Sequence, residues 1–134
     1  MSGIRYFVEV LVTCDENFTV IRDAVIDVKD GQITWVGKEK EAPTTSKKEI
    51  RINGLVMPGL INTHAHTPMT LLRGGGDGLP LMRWLTEVMW PREGLMTPSD
   101  AYWGMTLGSA EMLSSGITTT CEMYIHEEQI VEAA

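Results

Sequence analysis

Two histidines one residue apart, His64 and His66, are the side chains in this sequence best suited to chemistry. On a strand, residues i and i+2 point to the same side. Two neighbouring imidazoles can then hold one metal ion, with third and fourth ligands drawn from elsewhere. The pair alone does not decide the matter, because such spacing also arises by chance. A cupin-type site would add a carboxylate a few residues on, whereas Thr67-Pro68-Met69-Thr70 follows here.

Other chemical signals are weaker. Arg73 with Gly74-Gly75-Gly76-Asp77-Gly78 could suggest a phosphate cradle, but the stretch lacks both the Lys-Ser/Thr of a P-loop and the dinucleotide spacing. Asp77-Gly78 before Leu79-Pro80 reads better as a helix entry. Cys14 and Cys121 stand far apart without a CxxC, and are expected to be buried or idle thiols in a reducing cytosol. Met82, Met89, Met105 and Met112 fall in apolar helical runs and suit adaptable packing. Gly104 and Gly108 form a GxxxG in a helix that also carries Ser109 and Glu111. Close packing of this helix against a neighbouring element explains it better than a membrane span.

The elements that must position these groups change character along the chain. Up to about residue 56 the pattern is short strands: 6–12, a weaker one at 18–21, 24–28 and 32–36. Asp30-Gly31 between two alternating runs predicts a hairpin, since that turn needs positive φ at both central residues. Asn53-Gly54 predicts a second tight turn, and 38–49 an exposed loop. From Met57 the pattern becomes strand, helix, helix, strand and helix start. Leu60-Ile61-Asn62 is a short apolar strand closed by the histidines, and 80–89 is helix-like. Thr97-Pro98-Ser99-Asp100 predicts a helix start, with Thr97 as cap. That helix runs to about Ser115 with Tyr102, Thr106, Ala110 and Leu113 on one face, and Gly116 ends it. Ile117–Cys121 reads as the next strand. The order predicts the opening of a βαβ series with a parallel sheet, which needs more strands beside it and cover on both faces.

The stretch MPGLINTHAHTPMTLLRG, residues 57–74, resembles the first barrel strand of the amidohydrolase superfamily, the metal-dependent hydrolases and deaminases. WPREGL (90–95) and YWGMTLGSAEMLSSGITTTCEMYIHEE (102–128) are similar to the branch that deaminates S-adenosylhomocysteine and methylthioadenosine. Triazine-ring hydrolases and guanine deaminases are related to that branch. The resemblance implies an α/β fold. Residues 1–56 would be a small β-sandwich portion, and 57–134 the first βαβ part of a TIM barrel, incomplete in this chain. It makes His64 and His66 metal ligands at the top of the barrel, where active-site groups sit. The metal would be zinc or another divalent first-row ion. Such an ion lowers the pKa of its water to about 7. Hydroxide then attacks the ring carbon bearing the amine, and ammonia leaves. Glu93 matches the position that binds the ribose hydroxyls, and a carboxylate can accept two such hydrogen bonds. Trp84 suits either core packing or contact with the base. His126 would fall near the barrel mouth and equally suits capping or packing at a helix start. The triazine hydrolases and guanine deaminases are the alternatives in the same family, and Glu93 favours a ribosyl substrate over theirs.

Composition bounds the rest. With 43% hydrophobic and 22% charged residues, the chain is expected to be globular rather than disordered. Its 11 Lys+Arg and 18 Asp+Glu leave a net charge of −7, which argues against nucleic acid and anionic membranes as partners. No run of about 18 apolar residues suggests a transmembrane helix, and no signal segment is visible, so a cytoplasmic location is expected. A closed barrel needs about 250 residues. The third histidine, the aspartate and the proton-shuttling glutamate of the family would lie downstream. The sequence is therefore expected to be the N-terminal part of a deaminase, inactive alone, with no catalytic base of its own. An exposed barrel edge would favour homo-oligomers or self-association. A non-catalytic remnant is the competing expectation.

Overall fold

The structure, a computed structural model, describes residues 3–45 and 47–134. Its contacts divide into two units, one ending at Pro58 and the other beginning at Gly59.

The first unit is a four-stranded sheet. Its strands are β1 (Ile4–Val12), β2 (Val20–Lys29), β3 (Gln32–Lys38) and β4 (Lys48–Val56), in the order β3-β2-β1-β4. Asp30 and Gly31 turn β2 into β3 with φ of 51° and 76°, as the hairpin pattern predicts. Residues 20–29 form one strand rather than two, with Asp23 at φ 51° where the sequence suggests a break. The expected turn at Asn53-Gly54 is absent, and β4 runs straight through it. The partners Val8↔Ile52 and Val10↔Leu55 show why: β4 carries one residue more than β1 between these pairs. This bulge needs a permissive residue just as a turn does, and Gly54 takes φ 128°. Between β3 and β4, a short 3-10 turn at Glu39–Glu41 interrupts the expected loop.

Val8, Leu11 and Ala24 form the core of this sheet, with Tyr6, Ile21, Ile26 and Val56 packed around them. Inside it, Arg5 faces Asp27 across β1 and β2, with Nε and Nη2 each 2.8 Å from a carboxylate oxygen. Lys47 Nζ lies 3.1 Å from Asp27 Oδ2. Asp27 is only 1% exposed. The Arg5 hydrogen bond, helped by Lys47 and opposed by burial, pulls its pKa down to about 2. The folded pKa lies below the unfolded value of about 3.9. The pair's contribution is therefore full above pH 4 and is lost as the pH falls towards 2. Asp27→Asn, which leaves Arg5 buried and unpaired, should cost about 3 kcal/mol at pH 7. Hydrogen exchange of the β1 and β2 amides should show that cost vanishing near pH 2. A gap of constant size across this range would exclude the ion pair as its cause.

The second unit is built on two parallel strands, β5 (Leu60–Ala65) and β6 (Ile117–Glu122). A 3-10 segment, Thr67–Leu72, follows β5. Next come two short helices, α1 (Leu81–Arg83) and α2 (Trp90–Glu93), joined by a π-helical turn over Trp84–Met89. The helix expected over 80–89 thus extends to Glu93 and widens on the way. Pro91 gives the reason: its ring collides with the carbonyl four residues back in a regular helix, and a wider turn relieves this.

Helix α3 (Pro98–Ser114) begins with a full capping box. Thr97 Oγ1 accepts from the Asp100 N–H at 3.3 Å, and Asp100 Oδ2 accepts from the Thr97 N–H at 2.8 Å. The buried face of α3 is Ala101, Gly104, Met105 and Gly108, not the predicted stripe, and Ala110 and Leu113 are exposed. Gly116, at φ 81°, ends it, and α4 (Glu127–Ala133) follows β6. Cys14 and Cys121 are both exposed free thiols, so of the two expectations, burial or idleness, burial fails. Among the described residues, no helix is long and apolar enough to cross a membrane.

Candidate metal and substrate site

β5 and β6 run parallel, so their C-terminal ends lie side by side, with Ala65 opposite Glu122. His64 stands on the last turn of the β5 pleat and His66 just beyond it. Their Nε2 atoms converge to 3.2 Å, with ring planes crossing at 82°. His66 Nδ1 lies 2.6 Å from the Met123 carbonyl oxygen. A carbonyl only accepts, so this nitrogen carries the ring hydrogen and the His66 Nε2 presents a lone pair. Ligand histidines are commonly held this way, by a backbone carbonyl at the other nitrogen. Two nitrogens each 2.0–2.1 Å from one tetrahedral zinc stand about 3.3 Å apart. The observed spacing therefore fits a shared ion. Among the described residues, no group of three or more His, Cys, Asp or Glu side chains could hold a metal. The pair can supply two ligands and no more.

Glu122 braces this arrangement from β6. Its Oε2 accepts from the Thr67 N–H at 3.0 Å, and its Oε1 from the Met123 N–H, also at 3.0 Å. One carboxylate thus ties the residue after His66 to the residue whose carbonyl holds the His66 ring. The Met123 N–H also reaches the Ala65 carbonyl at 3.2 Å.

Beside His66 opens a cleft of about 400 Å³, lined by Met69, Trp84, Leu85, Trp90, Glu93 and Tyr124 among others. Glu93, at the end of α2, and Trp84, in the π-helical turn, thus share one cleft with His66. The Trp84 indole donates to the Gly75 carbonyl at 2.9 Å, so the ring pins the glycine-rich stretch while Trp84 also lines the cleft. The Tyr124 hydroxyl donates to Glu93 Oε1 at 2.9 Å. Burial, and then the Glu93 carboxylate, push the Tyr124 phenol well above its ordinary range. His126 takes a left-handed backbone, and its Nε2 lies 3.2 Å from the Met96 carbonyl, so it packs at the helix start. Arg73 is paired with Glu111 and presents no free cation for a phosphate.

Glu122, Met123 and Tyr124 are the site residues that sequence reasoning missed. The available signal was their position directly after a β-branched strand expected to lie parallel to the histidine strand. Their partners are 31 to 57 residues away, and no local pattern announces them.

Residues 55–134 match the model of the amidohydrolase family. The 5-methylthioadenosine/S-adenosylhomocysteine deaminase of Pyrococcus furiosus is 42% identical over 123 residues, which is 92% of this chain and 29% of that protein. The enzyme of the same name from Symbiobacterium thermophilum is 44% identical over 116 residues, 85% of this chain and 27% of its own length. This chain therefore spans under a third of the relatives it matches. Among solved structures, a zinc-bound adenosine deaminase from Xanthomonas campestris superposes with a TM-score of 0.83 at 31% identity, covering 98% of this chain and 31% of that one. A zinc-complexed atrazine chlorohydrolase from Arthrobacter aurescens shares the fold, with a TM-score of 0.85 at 24% identity over 98% of this chain and 33% of its own.

Proposed function

This chain belongs to the amidohydrolase family, and on that premise we propose that it carries the first metal ligands and the ribose contact of a hydrolase that deaminates an adenosine-type nucleoside. The observation that carries the reading is the convergent Nε2 pair of His64 and His66 at the edge of a cleft holding Glu93. In this reading residues 1–56 are part of a small β-sandwich. Residues 57–134 open a TIM barrel, with β5 and β6 as its first two strands. The two parallel strands with helices after each, and active-site groups at their C-terminal ends, agree with that architecture.

The residues divide the work by chemistry. His64 and His66 hold a divalent ion, with zinc favoured by the zinc-bound deaminase that this chain resembles. Such an ion, when bound, supplies hydroxide near neutral pH. The Met123 carbonyl keeps the His66 hydrogen on Nδ1, so that Nε2 stays a donor to the metal. Glu93 accepts hydrogen bonds from the ribose hydroxyls and orients the nucleoside. Trp84, Leu85 and Trp90 give the cleft an apolar wall that excludes water from the bound base. The general base and the remaining ligands belong to residues outside 1–134. Methylthioadenosine and S-adenosylhomocysteine are the substrates proposed, from the names of the similar deaminases.

Ammonia release from these two nucleosides, by zinc-loaded protein that contains this chain and a completed barrel, is the test. Glu93→Gln should lower kcat/KM by about 10- to 100-fold, since a hydrogen bond to a charged group contributes about 1.5–3 kcal/mol. Absence of ammonia from either nucleoside would reject the reading.

A further inference from the structure

We propose that Tyr124 is the positioning residue for Glu93, and that it makes the cleft selective for nucleosides bearing ribose hydroxyls. The proposal rests on the reading of Glu93 as the ribose contact. Glu93 closes the helical stretch that starts at Leu81, and beyond it the backbone continues in local turns, with the Gly94 N–H to the Trp90 carbonyl and the Met96 N–H to the Glu93 carbonyl. A glutamate side chain there has three free torsions. Spread over several rotamers, its carboxylate would lose much of its affinity to ordering on binding.

Tyr124 supplies the missing constraint. It follows β6 by two residues, and its ring centroid lies 6.2 Å from that of His66. Its hydroxyl donates to Glu93 Oε1 at 2.9 Å and lies 3.4 Å from Met96 Sδ. A phenol has one hydrogen to give, and the carboxylate is the stronger acceptor. That bond occupies one oxygen of Glu93 and leaves Oε2 for the substrate. The backbone around it is latched as well, because the His126 ring meets the Met96 carbonyl. The stretch after β6 therefore grips the segment 93–96 at both ends, and the strand end that holds His66 through Met123 also sets the carboxylate. A rigid tyrosine anchored to the histidine strand fixes the distance from metal ligands to ribose contact, which a flexible glutamate alone cannot do.

The test uses zinc-loaded protein that contains this chain and a completed barrel, with 5′-methylthioadenosine and its 2′,3′-dideoxy counterpart as substrates. Tyr124→Phe keeps the ring and removes only the hydroxyl. It should raise KM for methylthioadenosine by about tenfold with kcat nearly unchanged, because uniform binding is lost. The dideoxy counterpart should show no such rise. Combined with Glu93→Gln, Tyr124→Phe should add nothing, since both act through one contact. Equal losses on both substrates, or a further loss in the Glu93→Gln background, would overturn the proposal and leave Glu93 as the ribose contact. A Glu93→Gln variant that treats the two substrates alike would overturn both readings together.

Discussion

His64→Ala should strip the zinc loaded onto the protein that contains this chain, from about one equivalent to about a tenth or less, and, on the function proposed above, abolish ammonia release with it. The expectation follows from how few donors the segment has. Its described residues supply two convergent imidazoles and no cluster of three. Losing one leaves a single nitrogen from this part of the fold. Disturbing an outer partner of a metal ligand already costs 10–100-fold in affinity, and removing the ligand itself should cost on the order of a thousandfold or more. The fold should survive, because the His64 ring is exposed and touches chiefly His66. Circular dichroism should therefore match the parent while metal analysis by mass spectrometry does not. His66→Ala should lose the zinc and also free the Met123 carbonyl, so its β6 terminus should exchange amide hydrogens faster than in His64→Ala. Full zinc occupancy in both variants would show that the pair holds no metal.

The same residues show how far the sequence could be read. The His64–His66 spacing, the Asp30-Gly31 hairpin and the Thr97–Asp100 capping box are local devices. Each needs only a few neighbouring residues and the steric rules of the backbone: the Asp30-Gly31 turn and the Thr97 cap appear as expected, the reciprocal bond from Asp100 goes further than the cap the sequence suggests, and the two histidine rings converge. Asn53-Gly54 is also local, but turn and bulge draw on the same glycine freedom. Only the pairing of residues 50–56 with the single strand β1 decides between them. The brace at Glu122 and the latch at Tyr124 are less legible still. A glutamate and a tyrosine after a strand carry no periodicity, and their partners Thr67 and Glu93 are set by the parallel pairing of β5 with β6. The buried face of α3 differs from the periodic stripe for a related reason. Amphipathic patterning seeks large apolar residues, while at Gly104 α3 meets the Pro68 backbone at close range, which selects a small residue.

That contact makes Gly104 a position with a large expected effect on folding. Intrinsic propensity argues for alanine there: in a helix interior, Gly→Ala should stabilise by about 1 kcal/mol. The packing argues the reverse. A Cβ on Gly104 would lie 2.6 Å from the Pro68 carbonyl oxygen and 2.9 Å from its Cα. These are backbone atoms of the 3-10 segment that follows His66, and no rotamer change can withdraw them. The Thr70 hydroxyl also donates to the Gly104 carbonyl at 2.8 Å, so helix and segment are already tied at this point. At Gly108, four residues on, a Cβ would strike the Thr67 methyl group. Gly104→Ala must therefore separate α3 from the 3-10 segment or strain both. Overpacking of this kind costs about 1–3 kcal/mol or more, and with no side chain able to yield the cost should reach about 3 kcal/mol. Ala110→Ser, on the exposed side of the same helix, should change stability by less than about 0.5 kcal/mol. Urea unfolding of the two variants, followed by hydrogen exchange of the α3 amides, measures the difference. The sign decides between the arguments: a Gly104→Ala variant more stable than its parent would mean that propensity governs this helix and that its contact with Pro68 is loose. A destabilised variant should also hold zinc less tightly than Ala110→Ser, because the displaced segment starts at Thr67, whose N–H anchors the carboxylate that braces His66.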